Sequence, residues 1–550
     1  MVWMHSPPRN RTAPTLGQTL KQRCFNLGHG VVLTSLLSQS FWINPAAAQV
    51  KNPSIANLSI ASSSIEELTI ARADQANTQP FLPYCQQTTQ GIEQKDTLRK
   101  KAVQGDRESQ KRYDELTKQH ADYLRQCRQQ NWLRNQGIWL RLYPCDTRPG
   151  ALEAVLDRIV DRGYNQVYIE TFFNGQVLLP KASNRTAWQS MIQTPGQDQV
   201  DLLAEVIRKG RQRGLKVYSW MFSLNVGYPY VTKLDKRGTI AVNGRGQTTI
   251  DTNLATKELN NTFNPDEAFA DPYHPILRQD YIAMVQEVAK RKPDGMLFDY
   301  IRYPKGRGKD SVAKDVRDLW IYGEASRTAI LQRALNNKGR DLIDRYLQQG
   351  GITTSDIQEV DRRYPQETDP PLWHGRSVNP QENKLSLSQR QTLLQNELWR
   401  LAVGHAMQGV VDYLVLASNA AQQAGLPTGA VFFPDANQTV GQGYDSRLQP
   451  WDRFPENIER HPMSYATCGE ANCITNQVQR TLDKSMNRSI VKPVLAGIWQ
   501  QSVSNRPPLE VQMQEIRRIF PQADTVSHFA FSWQEPEYDR DRKFCRSRQF

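Results

Sequence analysis

Eight short runs of β-branched and aromatic residues recur between Gly137 and Trp533, and helical stretches separate several of them. This alternation constrains the chain more than any other feature. The runs are GIWLRLY (137–143), QVYIETF (166–172), KVYSWMF (216–222), GMLFDYI (295–301), GAVFFPD (429–435), HPMSYA (461–466), VLAGIW (494–499) and SHFAFSW (527–533). Stretches 151–163, 200–214, 276–291 and 511–520 precede the second, third, fourth and eighth runs. Their apolar residues recur at helical spacing, as Leu202, Leu203, Val206 and Ile207 do, so one face of each helix packs on a sheet. Gly163 and Gly214 stand where helix ends favour glycine. Repeated strand–helix units predict a parallel sheet, and eight of them predict a closed (β/α)8 TIM barrel of the α/β class. An open doubly wound sheet would carry a Gly-rich phosphate loop after its first strand, and the sequence has none.

The rest of the chain divides by composition. Residues 1–24 carry Arg9, Arg11, Lys21 and Arg23 and no acid; a short apolar stretch follows and ends at Ala46-Ala47-Ala48. That pattern predicts a signal peptide over 1–48, too short and polar in its apolar part to span a bilayer, and hence an exported protein with no stable membrane span after its removal. Residues 49–84 read as a linker, 85–134 as a helical segment and 135–550 as the barrel. The charged stretch 312–400 reads as a helical insertion after the fourth strand. Seven cysteines are present; Cys24 leaves with the leader, and the other six predict disulfides in an oxidising compartment. Cys468 and Cys473 suit a local pair, and sequence leaves the full pairing open. The net charge of +13 falls to +9 once the expected leader and its four positive charges are removed, a mild excess that suits an acidic polymer or wall surface. Basic clusters such as Arg99-Lys100-Lys101 lack the interleaved stacking residues of a nucleic-acid site, so nucleic acid is not expected as a partner.

In a TIM barrel, function gathers at the C-terminal ends of the strands. There the sequence places Glu170, Trp220, Asn225, Asp299, Tyr300, Arg302, Tyr303, Asp435, Tyr465, Trp499, Trp533 and Glu535. Carboxylates and aromatics dominate. Aromatic faces stack on sugar rings, and two carboxylates across a glycosidic bond suffice for acid/base hydrolysis. Asp299, Glu170, Asp435 and Glu535 are therefore the candidate catalytic acids. Trp220, Asn225, Tyr300, Arg302, Tyr303, Tyr465, Trp499 and Trp533 are the candidate substrate contacts. No cofactor is needed for this chemistry, and no metal site is expected from eight scattered histidines, which weakens a metal-dependent deacetylase reading. The sequence contains no G-x-S-x-G, P-loop or H-E-x-x-H motif. Asp294-Gly295 reads as a turn feeding the fourth strand.

The segment DGMLFDYIRYP (294–304) resembles the glycosyl hydrolase-like 10 family, whose D-G-x-x-x-D-x-x-x-Y-P motif falls on Asp294, Gly295, Asp299, Tyr303 and Pro304. GIWLRLY, YNQVYIETFFNGQVLLPKAS, GLKVYSWMF, NPDEAFADPYHPILRQDYI and HPMSYA resemble further family segments. The resemblance implies a TIM barrel with glycosidase-like activity on an envelope polysaccharide such as peptidoglycan glycan strands. Tyr300 stands where many members have a second Asp, and Phe222-Ser223-Leu224-Asn225 replaces their N-P-Y-R run. The resemblance therefore carries over Asp299 alone among the acids. The rival reading is a glycan-binding or envelope-scaffold protein on the same frame. Oligomeric state is not legible.

Overall fold

The structure is a computed structural model and describes residues 83–252 and 267–546. The expected leader (1–48) and all but the end of the expected linker (49–84) lie outside the described residues. Eight parallel strands close into a ring: β1 (Asn135–Leu140), β2 (Gln166–Phe173), β3 (Lys216–Phe222), β4 (Gly295–Asp299), β5 (Thr428–Phe432), β6 (Glu459–Ser464), β7 (Val494–Ala496) and β8 (Thr525–Phe529). Each strand pairs with its sequence neighbours, and β8 pairs with β1 through Asn135↔Thr525 to Ile138↔His528. This is the (β/α)8 barrel that the alternation predicts.

The lumen is packed, as the barrel's diameter requires. Trp139, Tyr168 and Trp220 fill it, with the Trp139 ring 4.7 Å from Tyr168 and 4.9 Å from Trp220. Glycines make room for these rings. A Cβ on Gly137 would lie 2.7 Å from the Tyr168 ring, and one on Gly295 would lie 2.3 Å from the Tyr218 ring. Asp294 is equally constrained: its Oδ2 accepts from the Val217 amide at 2.7 Å and its Oδ1 from Arg211 at 3.0 Å. The Asp-Gly pair of the motif thus sets β4 against β3. Substituting Gly295→Ala should cost ~1–3 kcal/mol by overpacking, read as a lower thermal midpoint in calorimetry.

Helices cover the outside. Ahead of the barrel, α1 (Thr89–Val103) and α2 (Arg107–Gln130) form a hairpin, closed by the Cys85–Cys127 disulfide. Next come α3 (Ala151–Asp161), α4 (Leu202–Gln212) and α5 (Pro275–Ala289), close to the bounds the apolar spacing implies. After β4 the chain forms α6 (Glu324–Leu331), α7 (Asn337–Gln349) and α8 (Thr354–Arg363), then the long α9 (Leu387–Gln422) that returns to β5. By length and composition α9 could cross a membrane. Here Leu398, Ala402, Val410, Tyr413, Leu414 and Ala417 of α9 are buried. The remaining long helices are α10 (Ala471–Asp483), α11 (Leu509–Ile519) and α12 (Pro536–Lys543). Cys145–Cys545 ties the end of α12 to the loop after β1, and Cys468–Cys473 closes the short loop after β6.

A buried ionic cluster clamps the hairpin to the barrel. Asp157 of α3 takes the Arg213 Nε–H at 2.9 Å and the Tyr113 hydroxyl at 2.8 Å. Lys95 and Arg99 of α1 lie 3.9 and 3.7 Å from the same carboxylate. Lys95 also pairs closely with Asp161. All of these groups are buried.

Candidate active site

Asp299 is the last residue of β4. Tyr300 follows it with φ +53°, in the left-handed region, and this turns the chain sharply at the strand end. The turn brings the Tyr300 amide back onto Asp299 Oδ1 at 2.6 Å, while the Trp220 indole N–H donates to Oδ2 at 3.1 Å. Asp299 is 6% exposed. Burial pushes its carboxyl up to about 6; the Tyr300 amide, Arg302 and Trp220 pull the other way, and the Glu170 charge adds to the rise.

Glu170 stands in β2 and is fully buried. Arg141, just past β1, grips it with two nitrogens, Nη2 lying 3.0 Å from Oε1 and Nε closer to Oε2. Burial pushes the Glu170 carboxyl up, and Arg141 pulls it back in part. Arg141 also lies 4.0 Å over the Phe173 ring.

An aromatic wall borders this pair of acids. The Phe529 ring, at the end of β8, lies 6.4 Å from Trp220, 5.8 Å from Tyr465 and 6.1 Å from Trp533. Tyr465 and Trp533 are half-buried, and the Asp299 charge reinforces the rise that burial imposes on the Tyr465 hydroxyl. Arg302 lies on the other flank, over the rings of Tyr300 (4.6 Å), Phe269 (5.4 Å) and Phe433 (5.8 Å).

The structure therefore brings Asp299, Glu170, Trp220, Tyr300, Arg302, Tyr465 and Trp533 to one end of the barrel. It does not bring the side chains of Glu535, Trp499, Tyr303 and Asn225 there, and Asp435 is tied to that end only through Arg447, which lies over the same Phe433 ring as Arg302. Glu535 is bound on the outside, by Arg162 of the α3 end at 2.9 Å and Arg158 at 3.6 Å. Trp499 packs in the outer layer, 4.9 Å from the Tyr84 ring, and donates to the Tyr164 hydroxyl at 3.3 Å. Asp435 is half exposed and pairs with Arg447 at 3.1 Å. Tyr303 is fully buried, its hydroxyl 3.5 Å from the Ala406 carbonyl of α9. Asn225 is also fully buried, and its Oδ1 accepts from the Ala268 amide at 3.1 Å. Tyr300 stacks on Phe222 at 4.2 Å and is buried, so it shapes the turn. Arg141 and Phe529 are the residues that sequence reasoning missed. Both stand at strand ends that it had marked, in GIWLRLY and SHFAFSW. Among the described residues no group of three or more His, Cys, Asp or Glu could hold a metal ion.

A buried acid with a raised pKa, beside a second carboxylate and an aromatic wall, can deliver a proton to a leaving oxygen. Solved structures similar to this chain include a GH20 exo-β-N-acetylglucosaminidase from Vibrio harveyi in complex with N-acetylglucosamine. It is 9% identical over 72% of this chain and 50% of its own, with a TM-score of 0.35. The chain thus spans half the length of that enzyme. A GH18 chitinase from Pseudoalteromonas aurantia is 10% identical over 75% of this chain and 98% of its own, with a TM-score of 0.31. A further glycoside hydrolase family 20 β-N-acetylglucosaminidase is 8% identical over 76% and 67%, with a TM-score of 0.38. No curated protein matches the chain. The family model described as glycosyl hydrolase-like 10 matches residues 132–349. That match runs from β1 through β4 to the end of α7 and includes the DGMLFDYIRYP motif, so over this segment the chain is similar to the glycosyl hydrolase-like 10 family.

Proposed function

We propose that this protein is an exported glycosidase that cleaves an envelope polysaccharide such as peptidoglycan glycan strands, with Asp299 as the general acid. The observation that carries the reading is the buried Asp299 carboxyl at the end of β4, held by the Tyr300 amide and the Trp220 indole; burial beside the Glu170 charge pushes it up to about 6. Such a group holds its proton in mildly acid solution and can give it to the leaving oxygen. Glu170 supplies the second carboxylate, whose negative charge favours the oxocarbenium-like transition state. Trp220, Tyr465, Phe529 and Trp533 offer apolar faces for the sugar rings. Export is supported by the leader-like N-terminus and by the three disulfides, which persist in oxidising compartments.

The test is reducing-end release from purified peptidoglycan and from chitin oligosaccharides. Release is expected, with kcat falling about tenfold per pH unit above pH ~6 as Asp299 loses its proton. A flat profile through that range removes Asp299 as the acid. One observation favours the scaffold reading: Arg141 already neutralises Glu170 with two hydrogen bonds. Retention of the protein on insoluble glycan without any release would decide for it.

A further inference from the structure

Of the arginines at this end of the barrel, two are neutralised by carboxylates, and Arg506 spends its donors on the Tyr465 and Ser504 carbonyls. Arg141 holds Glu170. Arg447 is paired with Asp445 at 2.7 Å and Asp435 at 3.1 Å. Arg302 has no such partner: no carboxylate among the described residues forms an ion pair with it, although it is only 3% exposed. Its Nη1 donates to the Tyr303 carbonyl at 2.9 Å. Its Nε and Nη2 donors have no hydrogen-bond acceptor among the described residues, yet neither is among the buried unpartnered atoms, so both keep contact with solvent.

The charged groups around Arg302 offset its burial only in part. Glu267 and Asp299 are the acids in electrostatic reach, and Arg447 adds a second positive charge. In mildly acid solution Asp299 holds its proton and offers no counter-charge, and in the Asp299→Asn protein it offers none at any pH. Burial accordingly works against the guanidinium charge. A buried cation without a partner is costly, and a protein with this much aromatic cover could have replaced it with an apolar side chain. Tyr300, Phe269 and Phe433 hold the planar fork in place while leaving donors free. A guanidinium so held matches a carboxylate in two hydrogen bonds.

We propose that Arg302 is the counter-ion for a carboxylate on the saccharide, so that the site selects acidic glycans over neutral ones. This deepens, and rests on, the glycan reading of the same site. The probes are a tetrasaccharide of alternating N-acetylglucosamine and N-acetylmuramic acid, and the same compound with its carboxylates reduced to alcohols. Calorimetry on the full chain carrying Asp299→Asn measures binding without turnover. The acidic probe should bind about tenfold more tightly, and adding Arg302→Gln should erase the difference by weakening the acidic probe alone. Equal affinities, or a preference that survives Arg302→Gln, overturn the inference. The comparison in the chain that keeps Arg302 decides it even where the double variant fails to fold. Turnover by the wild-type protein is followed separately. Cleavage of both probes with equal binding removes the acidic preference and leaves the glycosidase; acid-selective binding without cleavage does the reverse. Binding of neither probe overturns the inference.

Discussion

Asp299→Asn should abolish bond cleavage and, above pH 6, make the protein more stable. The first effect follows from losing the proton donor, for which a drop of ~10²–10⁴-fold in kcat is expected. The second follows from the same burial that raises the acid. A carboxyl moved from 3.8 to about 6 binds its proton more tightly in the folded chain than in the unfolded one. The folded state therefore loses stability as pH rises between those values, and above them it carries a penalty of roughly 3 kcal/mol. Asparagine carries no charge at any of these pH values. It does offer only one acceptor oxygen to the two donors, the Tyr300 amide and the Trp220 indole, which costs ~1 kcal/mol. The net gain should be ~1–2 kcal/mol at pH 7.5 and should vanish at pH 4. Thermal or denaturant unfolding of both proteins at the two pH values measures it. A residue kept only for structure would give the opposite sign, because its removal destabilises. Unchanged cleavage, or destabilisation at pH 7.5, would each refute the acid role.

The barrel was legible because its strands announce themselves. Short aromatic and β-branched runs separated by amphipathic helices admit few other architectures, and the observed β3 matches KVYSWMF residue for residue. The strand-end rule also found Asp299 and Trp220 without knowing that they touch. It failed to separate the inside of the barrel from the outside beyond the strands. Trp499 follows its strand end by three residues, as Asp435 does, and Glu535 by six, yet the chain leaves the barrel axis and turns Trp499 and Glu535 to the outer layer. Period-two alternation says which face a strand residue occupies; it says nothing once the strand has stopped. Arg141 was missed for a related reason. Aromatics and acids look like sugar-site chemistry on their own, whereas an arginine gains meaning only from the carboxylate it meets. Glu170 is that carboxylate, and it lies 29 residues away in sequence on the neighbouring strand.

The N-terminal hairpin gives the largest expected effect on stability. Asp157→Asn would leave Arg213, Lys95 and Arg99 buried around a neutral side chain. Removing one member of a buried ion cluster costs ~3–5 kcal/mol, because Arg213 then stays desolvated with no carboxylate, while Lys95 keeps Asp161 and Arg99 keeps Asp96. The sign with pH follows from the direction of the carboxyl's shift. Burial raises Asp157, but Arg213, Lys95, Arg99 and the Tyr113 hydroxyl outweigh it and hold the group below its usual 3.8. Its contribution is therefore complete above the unfolded value and is lost as pH falls through the lower folded one. The gap between wild type and variant should stay constant from pH 5 to pH 7 and close only in stronger acid. Limited proteolysis locates the damage. Cuts should appear first between Thr89 and Gln130, since Asp157 is what α1, α2 and α4 share across α3. The Cys85–Cys127 disulfide should hold the nicked hairpin to the chain until it is reduced. A variant as resistant as wild type, with an unchanged unfolding midpoint at pH 7, would show that packing alone fastens the hairpin.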